Sequence, residues 1–390
     1  MPDFNTDTLT GDWGGFRNAL FEKGVSVGGT YKADLWDNLS GGRKTGATAL
    51  NELYLSATVD GKKLYDLPGS KIFVSFLGNS GGRINDYAGT KSGIDNVSVS
   101  PANWKIYEAW VQQKAFGDVL SVRAGQYAVN SEFYVTDASG LFINPGFGFG
   151  NEFTCSGVNG PSIYPYAAVG VRVKAQPSAS TYVQAAVLDG VPGDPYKDRG
   201  THIRINPDDG LLAVAEAGYR NSAFGHYGIG AWHYTMRSND WVETWPSGTP
   251  KKDQNEGVYL LAERTFWQDE GNSDRAVDTF IRFGTANENV NRFSYGWSTG
   301  IVYYAPIAQR KDSQVGLGIG GNHNSDRYRQ SVTLAGGSAQ SNETHIELTY
   351  YDKLMPWLSV QPDLQYTLNP NTDPHLSNSW TIGMRIRFTL

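Results

Sequence analysis

The sequence predicts an all-β fold, a transmembrane, antiparallel, up-and-down β-barrel of about sixteen strands. Apolar and polar side chains alternate at every second position in segment after segment, and long and short connections alternate between these segments. The chain is only 39% hydrophobic but contains 22 Tyr, 11 Trp and 46 Gly. It has no apolar run of about 18 residues that would form a membrane-spanning helix. Composition alone leaves a secreted sandwich or propeller equally open.

Residues 1–24 are predicted to be an N-terminal extension with a short helix. Asp12 is placed to cap the helix, apolar residues recur at helical spacing from Trp13 to Leu20, and Gly24 marks its end. We expect this helix to pack against the periplasmic mouth of the barrel. The segment lacks the basic start and apolar stretch of a signal peptide, so the chain is either cytoplasmic or a processed form.

Residues 25–390 are predicted to form the barrel itself. The last strand shows the pattern clearly, with Ile382 and Ile386 on one face and Arg385 and Arg387 on the other. In a membrane barrel the apolar face contacts lipid and the polar face lines a water-filled lumen. Pairing every strand edge leaves no backbone group unsatisfied in hydrocarbon.

The connections are predicted to sort by length between the two ends of the barrel. The stretches 80–103, 130–162, 237–255 and 323–340 are long, whereas MPW and FGD are short. Outer-membrane barrels have long extracellular loops and short periplasmic turns. Because 130–162 is apolar for an exposed loop, we expect long loops to fold inward and constrict the lumen.

Three motifs carry a family resemblance. TGDWGGFR near the start, GNEFTC in the middle and QPDLQYTLNP near the end resemble the carbohydrate-selective porins of the OprB family, in the same order. The resemblance covers nearly the whole chain. It implies a sixteen-stranded barrel in a Gram-negative outer membrane, surrounded by its lipids, that admits glucose and related monosaccharides passively. It also favours a monomer, with a trimer left open.

A sugar-selective lumen needs charged or amide groups close to aromatic rings, because a pyranose presents both hydroxyls and C–H faces. Binding must still be weak enough for release. Parity directs the polar faces of the strands inward, and Arg83 lies in a glycine-rich loop from which it could span a narrow pore. The predicted pore-lining and constriction residues are Asp34, Trp36, Glu52, Arg83, Glu108, Trp110, Arg123, Arg282, Asp363 and Gln365.

Each of these residues also has a simpler interpretation. Charges in a lumen often only pair across the wall, and Trp36 and Trp110 could belong to interfacial girdles. Arg83 could equally lie in an ordinary surface loop. A register error of one residue would turn any strand's set outward.

Other functional classes receive less support. A net charge of −6 argues against nucleic acid as a partner. The single Cys155 and six scattered histidines predict neither a metal site nor another cofactor. Three alternatives remain. Paired acidic residues would suit a carbohydrate-processing enzyme, and long loops would suit an adhesive barrel. A general or anion-preferring diffusion porin is the third alternative. We predict a channel rather than an enzyme, because about sixteen strands enclose an aqueous space.

Overall fold

A computed structural model describes residues 1–197 and 199–390 and shows a closed barrel. Within these residues each strand pairs antiparallel with its sequence neighbours, and the first strand also pairs with the last. This arrangement confirms the predicted fold class. The strands are β1 (Val25–Gly42), β2 (Gly46–Asp60), β3 (Ser70–Gly81), β4 (Trp104–Ala115), β5 (Leu120–Tyr127), β6 (Ala168–Ala175), β7 (Thr181–Asp189), β8 (Leu211–Asn221), β9 (Gly225–Thr244), β10 (Pro250–Gln268), β11 (Ala276–Ala286), β12 (Phe293–Tyr304), β13 (Gln314–Asn324), β14 (Asn342–Met355), β15 (Leu358–Leu368) and β16 (Ser377–Thr389).

Short helices occupy the N-terminal extension and the connections. In the described part of the chain, none of them has the length and apolar character needed to cross a membrane. The α-helices are α1 (Phe4–Asp7), α2 (Phe16–Glu22), α3 (Gly61–Tyr65), α4 (Asn85–Ala88), α5 (Asn151–Thr154) and α6 (Asp326–Leu334), and 3₁₀ turns span Val129–Ser131, Ala138–Leu141, Pro145–Phe147, Pro207–Asp209 and Pro370–Thr372.

The seam between β1 and β16 shows that the predicted parity is correct. Asp34 lies opposite Arg385, and the intervening Leu35 lies opposite Met384. Leu35 is 53% exposed on the outer surface, whereas Asp34 is 1% exposed on the inner one. The aliphatic row therefore faces outward, and the charged row faces the lumen.

We call the end of the barrel where β1 begins and β16 ends the near end, and the opposite end the far end. The connections 82–103, 128–167 and 325–341 all leave from the far end, whereas the near end has turns such as 116–119 and 356–357. One predicted loop, 237–255, is mostly strand, because β9 and β10 continue to a turn at 245–249. These extensions are polar, so apolar alternation could not reveal them.

The N-terminal extension folds at the near end, but its helix begins later than predicted. Gly14 and Gly15 both have positive φ angles, 69° and 92°, so α2 begins only at Phe16. Asp12 still supports the helix, since its carboxylate accepts a 2.8 Å hydrogen bond from the Asn18 N–H.

Arg17 joins this extension to both strands of the seam. Its side chain is 3% exposed and donates to the carbonyl of Val27 in β1 at 2.8 Å and to that of Leu390, just after β16, at 2.9 Å. The guanidinium also stacks on the ring of Phe4, 4.2 Å from its centroid. A residue of the TGDWGGFR motif thus holds the near end of the seam together.

Candidate functional site in the lumen

The long connection 128–167 runs through the lumen and fills one side of it. Its aromatic side chains Tyr134, Phe147 and Phe153 are almost fully buried. Phe153 stacks on Trp232 of β9 at a centroid distance of 4.6 Å, and Tyr134 stacks on Tyr259 of β10 at 4.1 Å. We call residues 128–165 the inward segment. Its apolar character, noted in the sequence, comes from this packing on the wall.

Wall glutamates fix the backbone of the inward segment. Glu347 of β14 accepts hydrogen bonds from the N–H groups of Ile143 and Asn144, at 2.6 and 2.8 Å, one on each carboxylate oxygen. Each of these contacts satisfies a buried backbone N–H that has no strand partner. Further such contacts follow the segment around the barrel: Glu108 of β4 with the N–H of Ala128 (2.9 Å), Glu216 of β8 with that of Tyr134 (2.7 Å) and Glu263 of β10 with that of Ala138 (2.5 Å).

A second far-end connection, 82–103, also enters the lumen and is fixed in a similar way. Glu343 of β14 accepts from the N–H groups of Lys91 and Ser92, both at 2.7 Å. Arg385 of β16 bridges Asp34 of its own wall at 2.7 Å and Asp95 of the loop at 3.3 Å. Both connections are therefore fastened to the wall by charged groups.

Glycines in the wall let the inward segment approach closely. A Cβ on Gly318 of β13 would lie 2.7 Å from the ring of Phe147, and a Cβ on Gly284 of β11 would lie 2.8 Å from the Tyr134 hydroxyl. A contact of that length requires a neighbour to move, so any larger residue would push the segment away. These close approaches add β11 and β13 to the strands that the segment contacts, which extend from β4 to β14.

An open cavity of about 650 Å³ remains on the other side of the lumen. The wall contributes the side chains of Lys32, Glu52, Tyr54 and Arg387 together with smaller residues of β1 and β2, and the two inward connections contribute the rest. Lys32 Nζ lies 2.9 Å from Glu52 Oε1, so these two side chains form an ion pair across β1 and β2. The connections add Lys91, Ser92, Asn96, Val97, Asn130, Pro145, Gly148, Phe149, Asn151, Thr154, Ile163 and Tyr164.

Comparison with known proteins identifies the family of this barrel. Residues 44–390 match the carbohydrate-selective porin, OprB family. The chain belongs to the OprB family. It is an outer-membrane protein of the Gram-negative type, as the family resemblance in the sequence predicted.

Two curated relatives align over almost the whole OprB-family chain. Porin B of Pseudomonas aeruginosa is 24% identical and aligns with 98% of this chain and 91% of its own length. The putative porin QuiX of Acinetobacter baylyi is 22% identical, over 97% of this chain and 92% of its own.

Solved structures share the fold. The high-pH structure of Pseudomonas putida OprB has a TM-score of 0.88 at 20% identity and covers 99% of both chains. The outer-membrane channel DcaP of Acinetobacter baumannii has a TM-score of 0.58 at 9% identity, covering 94% of this chain and 97% of its own.

The predicted pore residues of this OprB-family chain fall into two groups. Those located in strands all point into the lumen, but among them only Glu52 lines the open cavity. Trp36 is 3% exposed, and its indole N–H donates to Asp95 at 2.6 Å. Arg83 lies in the far-end loop, half-exposed and paired with Asp86 three residues later. Contact of these residues with sugar stays a prediction.

The remaining predicted residues hold the inward connections in place. Asp34 and Glu108 take part in the carboxylate contacts described above. Arg282 donates to the Gly148 carbonyl at 2.9 Å, and Gln365 donates to the Ile94 carbonyl at 2.9 Å. The others pack or bond beside them: Trp110 under the Arg123 guanidinium (3.8 Å to the ring centroid), Arg123 beside Glu132 (3.4 Å), and Asp363 accepting from Gln365 (2.9 Å).

Sequence reasoning missed the cavity residues that come from the connections. Lys91, Asn130 and Tyr164 lie in irregular segments, where no periodicity tells which side chains face the lumen. Tyr164 is placed by tertiary contacts, since its hydroxyl accepts a 2.7 Å hydrogen bond from the Asn79 amide of β3. The one available signal was that 130–162 is more apolar than a solvent-exposed loop.

Proposed function

We propose that this chain is a passive outer-membrane channel for monosaccharides such as glucose, with the two inward connections forming its constriction. The proposal is supported most directly by the cavity beside the inward segment. There the Lys32–Glu52 ion pair supplies donors and acceptors for hydroxyl groups, and the rings of Tyr54 and Tyr164 supply flat apolar surfaces for C–H faces.

The size of the opening left beside the connections also supports a selective channel. A sixteen-stranded barrel without inward connections would leave a wide aqueous pore. Here one side is filled by buried aromatic rings, and the remaining space has the scale of small-ligand sites. A solute that passes must therefore contact the lining side chains, and these contacts allow the channel to discriminate between solutes.

Current block in a planar bilayer tests this function. The purified protein is expected to conduct, and glucose is expected to lower the current in a saturable way. Glu52→Gln should weaken the block several-fold, because a hydrogen bond to a charged group is worth about 1.5–3 kcal/mol. Tyr54→Ala should also weaken it several-fold, because it removes a ring face from the cavity. Glu288→Gln, in the far-end connection 287–292, is the matched control. A current that high glucose leaves unchanged would favour a general diffusion porin.

The oligomeric state is part of the same proposal. We propose a monomer in the membrane. The mass of the protein–detergent particle, measured by light scattering with the detergent contribution subtracted, should correspond to one chain of 42.7 kDa. A mass of three chains would instead support a trimer.

A further inference from the structure

The cavity beside the inward segment carries an excess of positive charge. Its charged lining consists of Lys32, Glu52, Lys91 and Arg387. Glu52 is paired with Lys32 at 2.9 Å. Among the residues that the structure describes, Lys91 and Arg387 form no ion pair, and both side chains are exposed to the lumen.

These two cations are held at fixed places in the cavity. The backbone N–H of Lys91 donates a 2.7 Å hydrogen bond to Glu343 of β14, which fixes the position of the Lys91 backbone. Arg387 lies in β16, directly opposite Lys32 of β1 in the strand register. Lys32 and Arg387 therefore bring like charges together on neighbouring strands, where one carboxylate, Glu52, offsets only one of them.

Uncompensated cations in a narrow channel attract anions strongly. A cleft with low-dielectric walls focuses the field of its charges and raises the local concentration of the opposite charge. A carboxylate that reaches Lys91 or Arg387 gains charge-assisted hydrogen bonds, which are about twice as strong as those between neutral groups. A neutral sugar gains no such contact.

The rest of the lining suits a molecule with several hydroxyl groups rather than a bare anion. Asn130 offers an amide with both donor and acceptor atoms. Tyr54 and Tyr164 offer ring faces on the same cavity, and Glu52 offers an acceptor for a hydroxyl. The site thus combines cations for a carboxylate with polar and aromatic groups for a polyol.

We propose that the preferred solute of this cavity is a polyhydroxylated carboxylate, that is, a sugar acid, an inference that rests on the proposed channel function. Its carboxylate binds Arg387, and its hydroxyls bind the neighbouring Lys32–Glu52 pair and Asn130, while Lys91 adds positive charge to the same cavity. Neutral monosaccharides use the same path with lower affinity.

Competition for uptake into proteoliposomes tests the proposal. Radiolabelled glucose enters vesicles containing the purified chain, and unlabelled glucose, gluconate, gluconamide or acetate competes at constant ionic strength. Gluconamide has the shape of gluconate without its charge. Gluconate is expected to halve uptake at a concentration about tenfold lower than gluconamide or glucose, because a hydrogen bond to a charged group adds enough free energy for that factor.

Variants assign the effect to the two unpaired cations. In the double variant Lys91→Gln/Arg387→Gln, gluconate should lose its advantage, so that gluconate and gluconamide compete equally; the readout is the ratio of these two competitors, whatever the variant does to competition by glucose. The matched control, Arg237→Gln/Lys311→Gln, removes the same charge from exposed positions outside the cavity and should keep the gluconate preference. Migration as a folded barrel on unheated gels checks each variant, and the single variants serve if a double variant fails to fold.

The possible outcomes distinguish failure of the sugar-acid preference from failure of the proposed channel function. If unlabelled glucose competes but gluconate is no better than gluconamide, the sugar-acid inference is overturned and the monosaccharide channel stands. If acetate competes as well as gluconate, the cavity selects charge alone, which also overturns it. If neither glucose nor gluconate competes, the proposed function fails and the inference falls with it. Retention of the preference in the Lys91→Gln/Arg387→Gln variant would overturn the assigned site.

Discussion

Glu152 lies fully enclosed where α5 meets the wall, in a setting different from that of the glutamates that hold the connections. Glu347 accepts hydrogen bonds from two backbone N–H groups, at 2.6 and 2.8 Å. Glu152 is 1% exposed and lies beside the Tyr134 hydroxyl above Gly284. Burial raises the pKa of Glu152 from 4.5 to about 7.

The raised pKa of Glu152 predicts a pH-dependent stability. Because the folded protein binds this proton more tightly than the unfolded chain, the stabilisation is complete below about pH 4.5 and is lost as the pH rises through about 7. Glu152→Gln mimics the protonated form, so its melting temperature should fall less than that of the wild type between pH 4.5 and pH 8. Circular dichroism in detergent measures both curves.

The control for this prediction is Glu288→Gln, an exposed carboxylate in a far-end connection. Its melting curve should follow the wild-type pH dependence. If the Glu152→Gln and wild-type curves run parallel over this range, titration of Glu152 does not contribute to the stability.

At the level of elements, the inward segment is a long irregular chain that gains its conformation from the wall. Its backbone N–H groups are satisfied by glutamates on β4, β8, β10 and β14, and its rings pack on β9 to β13. A buried backbone N–H that loses its partner is costly, typically about 1–3 kcal/mol. Each wall carboxylate is therefore expected to set the local position of the segment.

Glu347→Gln tests this dependence at one point. A glutamine amide has one acceptor oxygen, so it can serve only one of the N–H groups of Ile143 and Asn144, and its own NH₂ opposes the other. The segment should loosen on that side, which should raise the single-channel conductance by up to about twofold and increase current fluctuations. Glu288→Gln should leave the conductance as in the wild type. A quiet channel of unchanged conductance in Glu347→Gln would show that the contact does not position the segment.

The strands, and the side chains that point into the lumen, were predictable from the sequence. The groups that these inward side chains contact were not. A period of two decides which face of a strand meets lipid, so Asp34, Glu108 and Gln365 were correctly directed inward. Their partners come from connections 82–103 and 128–167, whose paths depend on contacts far away in sequence. Several side chains expected to meet sugar therefore bind the protein's own backbone or loops instead.

On the scale of the whole molecule, the contents of the lumen are asymmetric. The inward segment contacts the wall from β4 to β14, and Gly284 and Gly318 allow close approach at β11 and β13. The open cavity borders β1, β2 and β16. The open space therefore lies against the strands on either side of the seam, and Arg17 joins those strands at the near end.

Arg17→Ala should destabilise the barrel at the seam. The variant loses hydrogen bonds from a buried guanidinium to Val27 and Leu390, which predicts a loss of about 2–3 kcal/mol in the free energy of unfolding. Arg17→Lys keeps the charge but loses the fork, so it should fall between Arg17→Ala and the wild type. Urea unfolding in lipid vesicles, followed by tryptophan fluorescence, measures the series. Lys23→Ala, an exposed change at the end of the same helix, should match the wild type, and equal stability of Arg17→Ala would contradict the assigned role.

The proposed solute path lies along the seam, so transport on that path would depend on thermal fluctuations of the strand pair β1 and β16. β1 and β16 are joined by a ladder from Thr30–Thr389 to Gly42–Ser377 with register shifts near Ser40. Transient opening of this ladder would widen the route that solutes use, whereas similar opening between β11 and β12 would act on the filled side. Electrical noise in the open channel should therefore report the dynamics of this one strand pair more than those of the other fifteen.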